Sequence, residues 1–341
     1  MMRNRLLFTS CLLLLSLASC GRDEAPALAE VSRTREVMST FARLTALAPD
    51  RATAEAAVEL GFARLDDVNR LMSAYDADSE IRHLNAAAAG EIIEMSSETY
   101  HCLSRSLEIA DASGGAFDVT CRPLIVQWRE AAKAGCLPTD EELAAVSRLV
   151  GSANLLIDPE KRGVARALDG VQVDLGGIAK GYALDLAAEA MKKAGAVGAL
   201  VDIGGDVSAV GMNQFGKPWR VGVQHPFQNG IYKVLGLSDK AVATSGVQQR
   251  FFEINGRRYS HIIDPRTGRP AEQAPSVTVI AADGLAADAW ATVFSVLSIE
   301  EGKRLISEGR TPKLDVLWIA GDAEAPAEER TEGFGAYLIE P

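Results

Sequence analysis

Residues 174–185 form a glycine turn with charged side chains on both sides, the stretch of this chain best equipped for chemistry. It reads Asp-Leu-Gly-Gly-Ile-Ala-Lys-Gly-Tyr-Ala-Leu-Asp, after a β-type run at residues 171–173 and before a helical pattern that begins near Ile178. A glycine turn that opens a helix presents N–H groups and a positive dipole end to an anion. With Asp174 and Lys180 beside it, the turn suits a phosphate, and also a metal ion or a sugar hydroxyl. The same pattern also occurs in plain connections.

A carboxylate and a hydroxyl lie one helical turn apart at Asp288 and Thr292. The surrounding stretch is apolar, and residues four apart in a helix project from the same face. An oxygen-only pair suits Mg²⁺ better than softer metals, and Mg²⁺ commonly completes its octahedron with substrate phosphates. Taken alone, such a pair is more often a capped or solvated helix start.

The motifs of several competing chemistries are absent from the sequence. There is no Gly-x-x-x-x-Gly-Lys-Ser/Thr, no Gly-x-Gly-x-x-Gly, no His-Glu-x-x-His and no Gly-x-Ser-x-Gly. The four histidines have no paired metal spacing: His83, His101, His225 and His261. These absences argue against a zinc site and a serine hydrolase triad.

Helical and strand patterns alternate along the chain in a way that predicts its fold class. Five stretches have helical spacing: Thr53–Met72, Ser96–Ser113, Ala179–Ala194, Gly284–Leu297 and Ile299–Glu308. A sixth, shorter helix is expected to start at Thr139-Asp140-Glu141-Glu142. Besides residues 171–173, short strand patterns follow from residue 155 onward: Leu155–Ile157, Gly163–Ala167, Leu200–Ile203, Trp219–Val223, Lys233–Leu237, Ala241–Thr244, Arg250–Ile254 and Val277–Ala281. Asn255-Gly256 is typical of a hairpin turn. This order of elements, with helices first, strands later and a helix between strands, predicts a single α+β domain rather than a doubly wound sheet.

The first twenty residues have the pattern of a targeting signal. Arg3 and Arg5 precede an apolar run over Leu6–Leu17, and Leu-Ala-Ser leads directly to Cys20. This describes a secretory signal that is too short to span a bilayer. Because the cysteine resembles that of a bacterial lipobox, we expect lipidation at Cys20, where several acyl chains anchor stably at roughly 0.8 kcal/mol per buried CH₂. The alternative is ordinary cleavage with a soluble product.

These features predict the organisation and the location of the protein. We expect a signal peptide over 1–19, a lipidated cysteine and tether over 20–30, and one folded domain over 31–341. The location would be the bacterial cell envelope, facing the periplasm and anchored by lipid to the inner or outer membrane. In the rest of the chain we expect buried free thiols, with a disulfide between Cys121 and Cys136 as the alternative.

The charge of the chain bears on its partners. The formal net charge is −11 over 341 residues. Loss of two positive charges, Arg3 and Arg5, with the signal gives −13. This acidic charge argues against nucleic acid as a partner, because phosphate neutralisation needs clustered Lys and Arg. A bound pyrophosphate would need a local positive site, with a metal ion as counter-charge.

Seven sequence blocks occur in a fixed order and carry a family resemblance. Apart from residues 174–185, they cover residues 72–85, 115–128, 201–206, 243–246, 261–268 and 287–292. In this order and at these spacings the chain closely resembles the ApbE family of FAD:protein FMN transferases, from about Met38 to near the C-terminus. The resemblance implies mixed, largely antiparallel sheets packed with helices around a flavin-binding cleft.

The resemblance also implies the activity. FMN would pass from FAD to a Thr or Ser hydroxyl of an acceptor protein, such as a membrane redox-pump subunit, with release of AMP. Two alternatives stay open: a Mg²⁺-dependent FAD pyrophosphatase that yields FMN and AMP, and a lipoprotein that binds FAD without chemistry.

Site residues follow from the resemblance by position. Those implied to contact FAD are Met38, Tyr75, Ala116, Phe117, Asp118, Asp174, Lys180 and Ile263. Asp118 is alternatively a cap for the segment after it. The implied Mg²⁺ ligands are Asp288, Thr292 and a backbone oxygen of Gly177.

Two residues are implied to take part in the reaction itself. Lys180 would supply positive potential at the pyrophosphate, and His261 is the candidate base or, alternatively, a contact to the flavin or to its own turn. The chain departs from the family pattern at Ser39, where glycine is more common.

Overall fold

The structure is a computed structural model that describes residues 28–246, 251–272 and 274–340. The predicted signal peptide, Cys20 and the tether up to residue 27 lie outside the described residues, as does Arg250 at the start of one predicted strand. In the part of the chain that is described, no helix combines the length and apolar character needed to cross a membrane.

The described residues form eighteen strands and eight helices. The strands are β1 (Ala29–Val37), β2 (Thr40–Ala48), β3 (Ile93–Glu94), β4 (Leu155–Asp158), β5 (Gly163–Arg166), β6 (Gly198–Ile203), β7 (Asp206–Val210), β8 (Trp219–Gln224), β9 (Ile231–Leu237), β10 (Lys240–Gly246), β11 (Phe251–Ile254), β12 (Arg257–Ser260), β13 (Ile263–Asp264), β14 (Arg269–Pro270), β15 (Ser276–Ala281), β16 (Leu314–Gly321), β17 (Pro326–Arg330) and β18 (Leu338–Ile339). The helices are α1 (Arg51–Met72), α2 (Glu80–Ala86), α3 (Ser97–Ala112), α4 (Arg122–Ala134), α5 (Asp140–Ser147), α6 (Ala179–Lys193), α7 (Gly284–Val296) and α8 (Ile299–Ser307).

An eight-stranded sheet in the order β1-β2-β6-β7-β10-β15-β16-β17 organises the fold. Two three-stranded sheets, β18-β9-β8 and β3-β5-β4, and two hairpins accompany it, and each ladder between the described strands is antiparallel. The predicted α+β class is therefore confirmed. Asn255 and Gly256, with φ of 51° and 74°, form the predicted turn between β11 and β12.

Two sequence predictions about elements were wrong. The described part of the chain begins with the β1–β2 hairpin rather than with helices. The sequence did not reveal β1 because it is an edge strand whose side chains are mostly exposed and lack an apolar alternation. Residues 171–173 form no ladder: Gln172 makes a single parallel bridge to Cys121. The backbone of Val173 instead bonds both ways to the Asn85 amide, with distances of 2.7 Å and 2.9 Å. Its β-like pattern reflects burial alone.

The large sheet is covered on both faces. Helices α1, α6 and α7 pack on one face and enclose the main hydrophobic cluster. The sheet of β8, β9 and β18 covers part of the other face with the alternate residues Trp219, Val221 and Val223. Burial of such side chains stabilises the fold by roughly 25 cal/mol per Å² of apolar surface removed from water.

Helices α6 and α7 touch through their backbones at Gly181 and Gly284. A Cβ on Gly181 would lie 2.1 Å from the Gly284 carbonyl oxygen, and one on Gly284 would lie 2.4 Å from the Gly181 carbonyl oxygen. Only glycine allows this approach. It brings the first turns of the two helices, which carry Lys180 and Asp288, to one place.

Candidate functional site

A cleft of about 410 Å³ opens where the first turns of α6 and α7 meet the ends of β7 and β10. Eleven of the twelve site residues predicted within the described chain line it: Tyr75, Ala116, Phe117, Asp118, Asp174, Gly177, Lys180, His261, Ile263, Asp288 and Thr292. The structure thus brings residues from distant parts of the sequence to one cavity.

Met38 is the predicted residue that does not line the cleft. It lies in the β1–β2 turn and packs against the main core, whereas Thr40, two residues later, does line the cavity. Met38 and Ser39 have φ of 52° and 59°. Ser39 therefore adopts the left-handed conformation that glycine takes without strain, at the position where the family pattern more often has glycine.

Three charged side chains meet at the floor of the cleft. The Lys180 ammonium group makes an ion pair with Asp206, and it lies 3.6 Å from Asp288 Oδ1. Both carboxylates are almost fully buried, whereas the lysine side chain is 30% exposed. Asp206 Oδ1 also accepts a hydrogen bond from Thr244 N at 3.1 Å. The lysine is therefore held at the cleft by two buried acids, with part of its surface open to a ligand.

Asp288, Thr292 and Gly177 form an oxygen-rich corner next to this lysine. Asp288 Oδ2 accepts from Gly181 N at 2.9 Å. A Cβ added to Gly177 would lie 3.3 Å from Thr292 Oγ1, so the glycine backbone runs directly beside the hydroxyl. Among the described residues, no cluster of three or more His, Cys, Asp or Glu side chains is suited to a metal ion. A site here would therefore use one carboxylate with hydroxyl and backbone oxygens, a donor set typical of Mg²⁺.

An aromatic wall forms one side of the cleft. Tyr75 is 64% exposed as a residue, and its ring lies under two guanidinium groups, Arg122 at 4.7 Å and Arg129 at 5.8 Å from its centroid. Arg129 also donates to the Tyr75 hydroxyl at 3.1 Å. Such cation–π contacts orient an exposed ring. Its exposure leaves area for a flat ligand.

Arg122 also orders the glycine turn. Its Nη1 atom donates to Asp174 Oδ2 at 3.0 Å, while Asp174 Oδ1 accepts from Gly176 N at 2.9 Å. Asp174 thus ties the turn to the start of α4. The N-cap residue of α6, Ile178, makes no side-chain cap, so the first turn of this helix depends on tertiary contacts.

Asp118 bonds to the residues directly after it, whereas no side chain caps α4 at its N-cap residue Cys121. Its Oδ1 atom accepts from Thr120 N at 2.7 Å and from Thr120 Oγ1 at 2.6 Å. Burial raises the pKa of Asp118, and the bonds from Thr120 oppose that rise. Its neighbour Phe117 packs against the glycine turn, since a Cβ on Gly177 would lie 3.3 Å from the phenyl ring.

His261 lies between β12 and β13 and lines the cleft. The turn after it is rigid because Asp264 accepts from Arg266 N and Nε, both at 2.9 Å, and from Arg266 Nη2 at 2.8 Å. Gly268 N closes the turn with a 2.9 Å bond to Asp264 O. Hence the chain on the C-terminal side of His261 and Ile263 is held by this turn.

The three cysteines of the described chain are unpaired, so the disulfide alternative is wrong. Burial raises the pKa of Cys102 and of Cys121, and these two thiols are inert by that criterion. Cys136 is exposed, which contradicts the expectation that every thiol would be buried.

Sequence reasoning missed Asp206, Arg122 and Arg129. Asp206 ends one of the seven blocks, but its role depends on a contact with Lys180, which is 26 residues away. The two arginines lie on one face of α4, a helix that was not predicted from the sequence. Their spacing of seven residues, two helical turns, is the signal that was available.

Comparison with known proteins places this arrangement among flavin transferases. A family model described as the ApbE family matches residues 38–318. The FAD:protein FMN transferase of Klebsiella pneumoniae is 32% identical over 340 residues, which cover 98% of this chain and 96% of that protein. The corresponding protein of Vibrio cholerae is 34% identical over 279 residues, with coverage of 80% and 82%.

Solved structures agree with the sequence relatives. The flavin transferase ApbE from Vibrio cholerae superimposes with a TM-score of 0.80 at 29% identity, over 91% of this chain and 100% of its own. The ApbE protein from Thermotoga maritima has a TM-score of 0.80 at 30% identity, with coverage of 92% and 100%.

Proposed function

This chain belongs to the ApbE family, and on that premise we propose that it transfers FMN from FAD to a Thr or Ser hydroxyl of an acceptor protein and releases AMP. The observation that carries the proposal is the meeting of Lys180, Asp206 and Asp288 in the cleft beside the exposed Tyr75 ring. With Mg²⁺ bound at Asp288 as counter-charge, the Lys180 ammonium group would face a pyrophosphate, and the Tyr75 ring suits an isoalloxazine.

FAD would be held by two kinds of contact. Tyr75, Phe117 and Ile263 offer aromatic and apolar surface to the flavin, and ring pairs of this kind contribute about 0.5–1.5 kcal/mol beyond area burial. Lys180 and the amides of the glycine turn offer positive potential to the phosphates. Asp174 and Asp118 keep the surrounding backbone in place through the bonds described above.

The residues present fit Mg²⁺. Asp288, Thr292 and a backbone oxygen of Gly177 would hold the ion, an oxygen-only set with one carboxylate. The absence of a Cβ at Gly177 supports this assignment, because a side chain there would press on the Thr292 hydroxyl. When bound, Mg²⁺ would neutralise charge on the phosphate oxygens.

The transfer itself is a substitution at phosphorus. The acceptor oxygen forms a bond to the phosphorus on the flavin side of the pyrophosphate, and the bond from that phosphorus to the bridging oxygen breaks. The bridging oxygen leaves with AMP, while the hydroxyl proton passes to a base. Lys180 stabilises the negative charge that develops between the phosphates, since its ammonium group is already in place at the floor.

We assign the base to His261. It lines the cleft on a turn made rigid by Asp264, and imidazole is the side chain best suited to take a proton near neutral pH.

Incubation with FAD, Mg²⁺ and an acceptor domain from a membrane redox-pump subunit tests the proposal. Mass analysis of the acceptor should show the addition of one FMN at a Thr or Ser, and the label should disappear when that residue is replaced by Ala. Release of free FMN and AMP as the sole products, with several acceptor domains, would instead establish a FAD pyrophosphatase.

We also propose that the enzyme acts in the cell envelope, attached by lipid at Cys20. Support comes from the basic start, the apolar run and the Leu-Ala-Ser-Cys sequence. Metabolic labelling with a fatty acid should label the wild-type protein and not Cys20→Ser. Recovery of an unlabelled wild-type protein in the soluble fraction would contradict the anchor.

A further inference from the structure

A second and larger cavity, of about 990 Å³, lies on the face of the large sheet opposite α6 and α7. We call it the β8 groove. One side is the edge of β8 with Arg220 and Gly222, and the other is the outer face of β2 and β6 with Arg43 and Leu200. Ile231, 66% exposed, stands at its rim. Nothing in the flavin chemistry described above uses this groove.

The groove runs into the reaction cleft. Gly204, Thr244 and Gly246 line both cavities. Thr244 N bonds to Asp206, and Asp206 pairs with Lys180. A molecule that touches Thr244 in the β8 groove is therefore connected to Lys180 through two polar contacts, from Thr244 to Asp206 and from Asp206 to Lys180. Lys180 is the residue proposed above to contact the pyrophosphate.

The edge of β8 is suited to bind an extended chain. Within the part of the chain that the structure describes, β8 forms a ladder with β9 alone and is the last strand of its sheet. Its outward residues are exposed, while Trp219, Val221 and Val223 anchor it to the large sheet. An edge strand fixed in this way offers N–H and C=O groups to an added strand, the mode called β-augmentation.

From these observations, and resting on the proposed function, we infer that the β8 groove binds the acceptor protein. The occupant is an extended segment that adds to the edge of β8 as a further strand. Its Thr or Ser side chain passes across Gly204 and Thr244 to the phosphorus. The exposed Ile231 contacts an apolar side chain of this segment, and Arg43 and Arg220 line its path. The enzyme would thus recognise acceptor proteins through backbone hydrogen bonds, at a site separate from the one that binds FAD.

Kinetics with groove variants test the inference. The acceptor is a redox-pump domain to which the wild-type enzyme attaches FMN. For Ile231→Glu and Arg220→Glu we expect the KM for the acceptor to rise at least tenfold, with the Kd for FAD changed less than twofold. Leu156→Glu is the matched control: Leu156 is 51% exposed and lies on β4, away from the groove. It should behave as the wild type.

Hydrogen–deuterium exchange tests the binding mode without substitutions in the enzyme. The probe is the same acceptor domain with its reactive Thr replaced by Ala, added to the FAD-loaded enzyme. Amide exchange in residues 219–224 should slow at least fivefold, while exchange in α1 stays unchanged.

Wild-type acceptor kinetics in both groove variants, or unchanged exchange in β8 at saturating acceptor, would overturn the groove assignment and leave FMN transfer intact. Failure of the wild-type enzyme to label any acceptor would instead overturn the proposed function, and this inference with it.

Discussion

Asp185 and Asp288 each cap the helix that carries the other. Asp288, on α7, accepts from Gly181 N of α6 at 2.9 Å. Asp185, on α6, accepts from Gly284 N and Leu285 N of α7 at 2.6 Å and 2.9 Å. Each aspartate follows by four residues the glycine at which the two helices touch.

This reciprocal arrangement links packing to chemistry. Helix N-termini carry unsatisfied N–H groups, and the side-chain oxygens of an aspartate accept hydrogen bonds from them. Asp288 therefore has a fixed position because α6 holds it, and α7 keeps its place because Asp185 holds that helix. The proposed metal ligand is aligned by the helix contact rather than by α7 alone.

The first prediction concerns the glycine contact. Gly181→Ala places a methyl group 2.1 Å from a carbonyl oxygen, and backbone cannot yield as a side chain would. We expect a loss of about 1–3 kcal/mol in the free energy of unfolding, together with a loss of FMN transfer because Asp288 shifts. Urea unfolding and transfer rates measure the two effects.

Gly335→Ala is the matched control for this substitution, since a Cβ there meets no heavy atom within 4 Å. It should change neither quantity appreciably. Full stability in Gly181→Ala would show that the two helices are free to separate.

The second prediction is a pH dependence of stability. Burial raises the pKa of Asp185 to about 7 from its ordinary value of 3.8, although the bonds from Gly284 and Leu285 oppose the rise. The pKa of Asp185 is higher in the folded than in the unfolded protein. Its contribution to the free energy of unfolding is therefore fully present below about pH 4 and is lost as pH rises through 7. Asp185→Asn removes this titration. The stability of wild type relative to Asp185→Asn should therefore fall by roughly 2–4 kcal/mol between pH 4 and pH 8.

Urea unfolding of both proteins at several pH values provides the measurement, and other acids cancel in the difference. A difference that stays constant across this range would show that Asp185 ionises at its ordinary pKa in the folded protein.

The local features of this site could be predicted from the sequence better than the contacts between its distant segments. The glycine turn, the helix at 179–194 and the Asp288–Thr292 pair depend on spacing within one segment, which a sequence displays directly. The contact between Gly181 and Gly284 joins two segments about one hundred residues apart, and no periodicity reveals it. Asp206 was missed for the same reason, because its partner lies on another element.

Edge strands and buried irregular segments also limit prediction. β1 was missed because its outward side chains are polar on an edge, so it lacks alternation. Residues 171–173 show the reverse error. Their two buried valines have the sequence pattern of a strand, but the backbone of Val173 bonds to the Asn85 side chain and not to a neighbouring strand. In both cases the hydrophobic pattern of the sequence indicates which side chains are buried, whereas backbone hydrogen bonding determines whether a strand forms.

The third prediction concerns the aromatic wall. Tyr75→Ala should weaken FAD binding about tenfold, because a stacked ring contributes roughly 0.5–1.5 kcal/mol beyond its area. Tyr75→Phe keeps the ring and loses only the bond from Arg129, so its Kd should stay within about threefold of wild type. Fluorescence titration of FAD measures both. Equal Kd values for the Ala variant and the wild type would place the flavin elsewhere.

The fourth prediction concerns the metal. Asp288→Asn keeps an oxygen that accepts from Gly181 N but loses the charge, so the fold should persist while transfer falls by roughly 100-fold or more. The Mg²⁺ concentration for half-maximal rate should rise as well. Thr292→Val, which removes a neutral donor, should show a smaller fall. A rate in Asp288→Asn that matches the wild type at limiting Mg²⁺ would exclude Asp288 as a ligand.

The last prediction separates a base from a flavin contact at His261. A base acts mainly in the transition state, so His261→Ala should reduce the transfer rate by roughly 10²–10⁴-fold, whereas the Kd for FAD should change little. The pH profile provides an independent readout, since the variant should lose the dependence that a titrating imidazole gives near neutral pH. Imidazole added in solution should restore part of the rate. A His261→Ala enzyme that loses FAD affinity and transfer rate in equal measure, with an unchanged pH profile, would instead assign this histidine to flavin binding.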